Sequence, residues 1–302
     1  MIGPIRHSFN QSFRQEDHRA LIDEIEMRYF RALDFRIAET PVFVPKAFSQ
    51  QLLATCGFII DQILDPDFKK RTESAIPDTW RIPGEEGRPE FLAFDFGVCD
   101  DGAGGLIPQL IELQGFPSLL GYQSMLADAY RAHHQIDPAW SPYLGGLQKG
   151  SYIELLRKTI VGSHDAKEVI LLEILPHQQK TRIDFYITQE LIGIPVVCIT
   201  ELRLMNGQLF YEREGILSPV RRIYNRIIFD ELEQQAPEII KQGDLLKAAT
   251  GVEWCPHPHW FYRVSKFLLP YLNHPNVPRS FFLDQVKQMP ADLSEYVLKP
   301  LF

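Results

Sequence analysis

Two carboxylates and a carboxamide stand at regular spacing in the stretch 91–114, and they are the residues best suited to chemistry. Phe91-Leu-Ala-Phe-Asp-Phe96 and Leu110-Ile-Glu-Leu-Gln114 read as two short strands around a Gly102-Ala-Gly-Gly105 turn. Alternation puts Ala93 and Asp95 on one face of the first strand and Leu110, Glu112 and Gln114 on one face of the second. Phe94, Phe96, Ile111 and Leu113 then take the opposite face. A turn centred between Ala103 and Gly104 makes paired residue numbers sum to 207, which sets Asp95 opposite Glu112 and Ala93 opposite Gln114. Side chains so opposed lie ~4.5–5.5 Å apart at Cβ, and like charges there repel. A hard divalent cation would relieve them. Mg²⁺ suits, since it takes oxygen ligands and is held by one or two carboxylates plus substrate phosphates. The competing reading is a solvated hairpin face, on which charges are ordinary.

Cations further along have two readings each. Lys299 sits between Leu298 and Pro300 in an apolar run, where an unpaired ammonium would be costly to bury. A phosphate or a purine nitrogen is one partner for it; an exposed edge strand is the other explanation. Lys266, within Trp260-Phe-Tyr-Arg-Val-Ser-Lys-Phe-Leu-Leu269, is a nucleotide ligand or a stem snorkelling from an apolar helix. Pro219-Val-Arg-Arg-Ile-Tyr-Asn-Arg226 brings three arginines into a strand-like run, suited to carboxylates and phosphates or to surface acids. Cys255-Pro-His-Pro-His259 offers metal-type side chains, but no second Cys/His pair completes a four-ligand zinc site, and the prolines fit a loop. Asp95-Phe96-Gly97 matches the kinase magnesium tripeptide without any other kinase motif. No Walker loop, GxGxxG or GxSxG is present.

These residues need elements to hold them. The first ninety residues read as mostly helical, with Ser12-x-x-Gln15 as a capping box before Ile22, Ile25, Tyr29 and Leu33 at helical spacing. A second helix is expected between Pro45 and Gly57, and the charge- and proline-rich stretch 65–89 reads as a connection. After the hairpin come helices near 122–135 and from the capping box Ser151-x-x-Glu154 to Gly162. A βαβ unit follows, with strands 168–175 and 195–200 parallel across a helix. Asn206-Gly207 predicts a hairpin, 220–228 a strand, 259–272 a helix and Tyr296–Phe302 a last strand. The expected class is α/β (α+β) with a mixed sheet.

Composition bounds the rest. The 302 residues are 45% apolar and 23% charged, ordinary for a globular chain. Lys and Arg number 31 against 39 Asp and Glu, a net charge of −8, which argues against a nucleic-acid partner. No apolar run approaches the ~18 residues of a membrane span. The N-terminus lacks a signal-peptide core, and the four dispersed cysteines form no CxxC pair. A cytoplasmic protein without membrane or nucleic-acid partners is expected.

The order of the pieces resembles the circularly permuted ATP-grasp ligases, the glutathionylspermidine synthetase-like family. The quoted residues are Phe94-Asp95-Phe96, the glycine turn, Leu110-Ile-Glu112-Leu-Gln114 with Pro117-Ser118, Pro219-Val-x-x-Ile-Tyr-Asn-Arg226, Lys266, and Val297-Leu-Lys299-Pro300. The resemblance covers roughly 91–302. It leaves the helical N-terminal region (1–90) unassigned and implies an ATP-grasp-like fold with a metal-binding hairpin with helices (91–162), a pre-ATP-grasp-like α/β unit (163–230) and the start of a nucleotide-binding subdomain (231–302). It also implies that Asp95, Glu112 and Gln114 hold Mg²⁺, that Lys266 and Lys299 hold ATP, that Arg226 meets phosphate or the activated carboxylate, and that Ser118 lies near substrate. The activity implied is ATP-dependent joining of a small carboxylate to an amine through an acyl phosphate. A non-catalytic nucleotide or acidic-ligand module is the alternative. Three departures bear on it: Ala93 stands where the family has arginine, Gln114 where it has asparagine, and these 302 residues stop at Phe302, before the position of the family's glycine-rich lid after Lys-Pro. The 302-residue form is therefore expected to bind ATP weakly or not at all.

Overall fold

Val169–Glu173 (β3) is five residues buried on both faces, the pattern of a central parallel strand rather than of an alternating one. In the computed structural model, which describes residues 2–301, β3 is flanked by Val196–Cys198 (β4) and Arg222–Asn225 (β8), with Glu253–Cys255 (β9) beyond. All three pairings are parallel, in the order β4-β3-β8-β9. Ile170, Leu172, Val197 and Ile223 pack into the core on one face. Val169, Leu171, Val196 and Tyr224 fill the other. The βαβ expectation is met: the crossover helix is Arg182–Ile192.

Ala93–Asp100 (β1) and Leu106–Gln114 (β2) form a separate antiparallel hairpin. Its core face packs Phe94, Phe96, Leu110 and Leu113 against Ile59, Ile63, Phe68 and Trp260. A third sheet joins Leu202–Met205 (β5), Gln208–Arg213 (β6) and Ile216–Pro219 (β7). Asn206 (φ 51°) and Gly207 (φ 76°) both take the left-handed backbone that a two-residue hairpin turn needs. The strand β7 was not expected from sequence.

Several helix ends differ from the sequence reading. Ser12 closes the helix Gly3–Ser12, its hydroxyl donating to Phe9 O, and the next helix, Gln15–Arg28, starts without a side-chain cap. The helix Lys46–Ile63 runs through Gly57 because Phe48, Thr55, Ile59 and Ile63 form one continuous buried stripe. Ser151 lies at the third position of the helix Lys149–Val161, where its Oγ accepts from Gln148 N–H. The expected 259–272 helix splits into an α-turn, His259–Arg263, and a 3₁₀ segment, Lys266–Tyr271, capped by Ser265.

The last expected strand does not form. Residues 296–301 are irregular and exposed, and Phe302 lies outside the described residues. A strand needs a ladder partner, and this segment pairs with none of the three sheets. None of the described helices is long and apolar enough to cross a membrane.

Candidate functional site

Asp95 and Glu112 are direct cross-strand partners, and Ala93 pairs with Gln114, as the alternation requires. The register nevertheless shifts between Asp95 and Phe96. From Phe96↔Leu110 to Asp100↔Leu106 the paired numbers are one lower, so Ile111 is an extra residue in β2. This β-bulge inverts the alternation on the turn side. Leu110, expected beside Glu112, is instead 3% exposed in the core, while Ile111, expected in the core, is 50% exposed. The acidic pair keeps its face because Leu113 remains buried beyond it.

The groups around the pair are cationic or amide. Gln114 Nε2 donates to Glu112 Oε1 at 2.7 Å, which leaves the Gln114 carbonyl oxygen turned away from Glu112. Lys266 Nζ stands 3.4 Å from Glu112 Oε2. Lys299 Nζ donates to the Ile111 carbonyl at 2.8 Å, close enough to act electrostatically on Glu112. Burial pushes the Glu112 carboxyl up, but the Gln114 amide and the two ammonium groups outweigh it and hold Glu112 below its ordinary value. Asp95 moves the other way, raised by partial desolvation and then by Glu112. The donor set of two carboxylates and a free amide oxygen fits a hard divalent cation.

Lys266 reaches Glu112 because the chain leaving β2 is pressed onto the segment before it. Gly115 N–H donates to Val264 O at 2.8 Å. A Cβ at Gly115 would meet Trp260 O at 2.5 Å and Val264 Cβ at 2.8 Å, so only glycine permits this approach.

Arg226 lies further along the same chain exit. It is 6% exposed, stacks over the Phe116 ring at 4.5 Å, and its Nη1 donates to Pro117 O at 2.6 Å. It thus joins the carboxyl end of β8 to the segment carrying Ser118. The fully buried Asp184, which sequence reading missed, accepts from Leu119 N–H (3.1 Å) and Tyr122 N–H (2.8 Å) and so pins the residues after Ser118. Its signal was present: an acid on the helix stripe shared with Ile183, Ile187 and Thr188. Leu119 takes φ 64° at this corner.

The Cys255–His259 motif forms a different cluster. The ligand atoms of Glu85, His257 and His259 lie within 4.8 Å of one another. Every ring nitrogen is nonetheless used by protein. His259 pairs through Nδ1 with Glu85 Oε2 at 2.6 Å and accepts Ile82 N–H at Nε2 at 3.1 Å. His257 accepts His259 N–H at Nδ1 and donates to Pro83 O from Nε2, both at 3.2 Å. Burial, then His259, pushes the His257 imidazole down to about 4, so it stays neutral. Glu85 grips Arg263 with both oxygens, at 2.8 and 3.0 Å. Cys255 is turned toward Thr159 O. The cluster locks the 80–85 segment onto the His259–Arg263 turn. A cavity of about 530 Å³ beside Tyr29, Phe30, His177 and Tyr186 lies apart from both clusters.

No family model and no curated protein sequence matches the chain. A solved structure does: the chain is similar to a glutathione synthetase-like effector from Globodera pallida in its apo form. The TM-score is 0.54 and the identity 14%, over 87% of this chain and 67% of that one. The fold is therefore mixed α/β of the glutathione synthetase-like kind.

Proposed function

We propose that the protein is an ATP-dependent carboxylate–amine ligase working through an acyl phosphate on a small carboxylate. One observation carries the reading: Asp95, Glu112, Gln114, Lys266 and Lys299 come from three distant parts of the chain and meet on one hairpin face. An acidic face that was merely solvated would not need two lysines brought to it. Asp95, Glu112 and the Gln114 oxygen would hold Mg²⁺, which neutralises phosphate charge when bound. Lys266 and Lys299 would contact the nucleotide. Arg226 and Ser118, at the exit of the same hairpin, would hold the acyl phosphate and stabilise its developing charge, since phosphoryl transfer is mainly positioning and electrostatics. The likeness to a glutathione synthetase-like fold supports this reading at the level of architecture.

The second reading is a nucleotide or acidic-ligand binding module without turnover, favoured by Ala93 in place of a cation beside Asp95. Calorimetric titration with ATP, with and without Mg²⁺, tests both. Weak binding that needs Mg²⁺ and is lost in Lys266→Met is expected of this 302-residue form. Carboxylate-dependent phosphate release then separates ligase from module. Mg-ATP binding that Lys266→Met and Lys299→Met both leave unchanged overturns the assignment of both lysines.

A further inference from the structure

The helix Gln15–Arg28 ends in a Schellman turn: Tyr29 N–H donates to Ile25 O at 3.0 Å, and Arg31 N–H reaches back to Glu26 O at 2.8 Å. The residue between them takes the left-handed backbone, where glycine is usual because it has no Cβ to clash. Phe30 stands there instead, at φ 56°, and Arg31 follows at φ 57°. Packing does not explain the phenylalanine, which is 86% exposed. A strained backbone kept under an exposed aromatic ring points to a use outside the chain. Phe30 rims the cavity of about 530 Å³ between the end of that helix and the crossover helix Arg182–Ile192. Small-ligand sites run from roughly 300 to 1,000 Å³. The walls are fixed by the chain itself. Tyr29 donates to Glu190 Oε2 at 2.9 Å, and the Tyr186 hydroxyl meets His177 Nδ1 at 2.9 Å. Arg182 Nη2 donates to Arg31 O at 3.3 Å and so braces the left-handed corner. Other polar groups of the lining are unused. His177 Nε2 and the Gln189 carboxamide have no hydrogen-bond partner among the described residues, and Arg28 uses only Nη2, on Glu190. Arg28 and Arg182 outnumber Glu190 along the lining, a local positive surplus in a chain of net charge −8.

We propose that this cavity binds a small aromatic carboxylate. Its ring packs against Phe30 and Tyr186, in the offset or edge-on arrangement that aromatic pairs prefer. Its carboxylate accepts from the unused nitrogens of Arg28 and from His177 Nε2, which carries the proton when Nδ1 accepts from the Tyr186 hydroxyl. Gln189 adds a neutral donor beside them. An aliphatic acid would leave the Phe30 ring without a stacking partner, and an uncharged aromatic would leave Arg28 without an acceptor. None of the residues assigned above to Mg²⁺ or ATP lines this cavity, so the site stands independently of the ligase reading.

Calorimetric titration of the whole chain with benzoate and indole-3-acetate, in the absence of ATP and Mg²⁺, tests the proposal. Indole-3-ethanol and hexanoate serve as the uncharged and the non-aromatic comparators. Both aromatic carboxylates should bind saturably in the millimolar range or below, and both comparators more weakly. Phe30→Gly is the decisive variant, because it puts the usual residue into the turn while removing the ring. It should melt no earlier than wild type and bind indole-3-acetate roughly tenfold more weakly. Should it melt early, Phe30→Asn also tolerates the left-handed backbone and should show the same loss of binding. Arg28→Gln should weaken indole-3-acetate and leave indole-3-ethanol unchanged. The proposal is overturned by a wild type that binds neither aromatic carboxylate, by unchanged binding in Phe30→Gly, or by hexanoate binding as tightly as indole-3-acetate.

Discussion

Lys266 stands over Glu112 rather than over Asp95: its ammonium nitrogen is 3.4 Å from Glu112 Oε2. The two facing carboxylates therefore differ. Glu112 is shared by two lysines and an amide, whereas Asp95 meets only desolvation and repulsion.

Asp95→Asn should raise stability in the absence of Mg²⁺. An acid whose folded value is raised binds protons more readily when folded, so its favourable contribution exists at low pH and fades as pH rises through that value. Removing the charge removes this loss. The same variant should also lose stabilisation by Mg²⁺, which otherwise grows with ion concentration. Thermal melts of both proteins with and without millimolar Mg²⁺ should cross; parallel curves would count against a cation at Asp95.

Glu112→Gln should behave oppositely. Its folded value is depressed, so it stabilises above the ordinary glutamate range, and that contribution is lost as pH falls through the folded value. The variant should be less stable than wild type at neutral pH and indistinguishable from it in acid. Chemical denaturation at several pH values checks this.

Gly115→Ala forces a methyl against the Trp260 carbonyl and Val264 Cβ. Overpacking against backbone should cost roughly 1–3 kcal/mol. It should also pull Lys266 from Glu112, so Mg-ATP affinity should fall more than in a surface variant of equal stability. A denaturant midpoint together with a titration reads both.

In Mg²⁺-free buffer, chelation should leave the melting temperature unchanged, because His257 and His259 are already satisfied by Pro83, Ile82 and Glu85. Glu85→Ala should instead cost about 3 kcal/mol, since the buried Arg263 loses its two-oxygen partner. A chelator-induced drop would show that a metal occupies this cluster.

The pairing of Asp95 with Glu112 was readable because strand alternation and a glycine turn are local. The bulge was not. It arises where Leu110 and Leu113 must both enter a core built by Ile59, Phe68 and Trp260, residues distant in sequence. Glu85 was hidden for the same reason: a stretch rich in charge and proline looks like a connection until Arg263 and His259 are brought to it. The βαβ unit was legible because buried parallel strands are continuous apolar runs. The apolar end near Lys299 misled, since hydrophobicity alone does not supply a strand with a partner.

Ile111 gives Lys299 a seat made of main chain, not of a side chain. Substitution at position 111 leaves a carbonyl in place, so point mutations can drift there without unseating the lysine. Shortening β2 by that one residue would restore an unbroken ladder and take the seat away. What natural variation must preserve at this point is the number of residues, and an inventory of residue types along the chain would never reveal it.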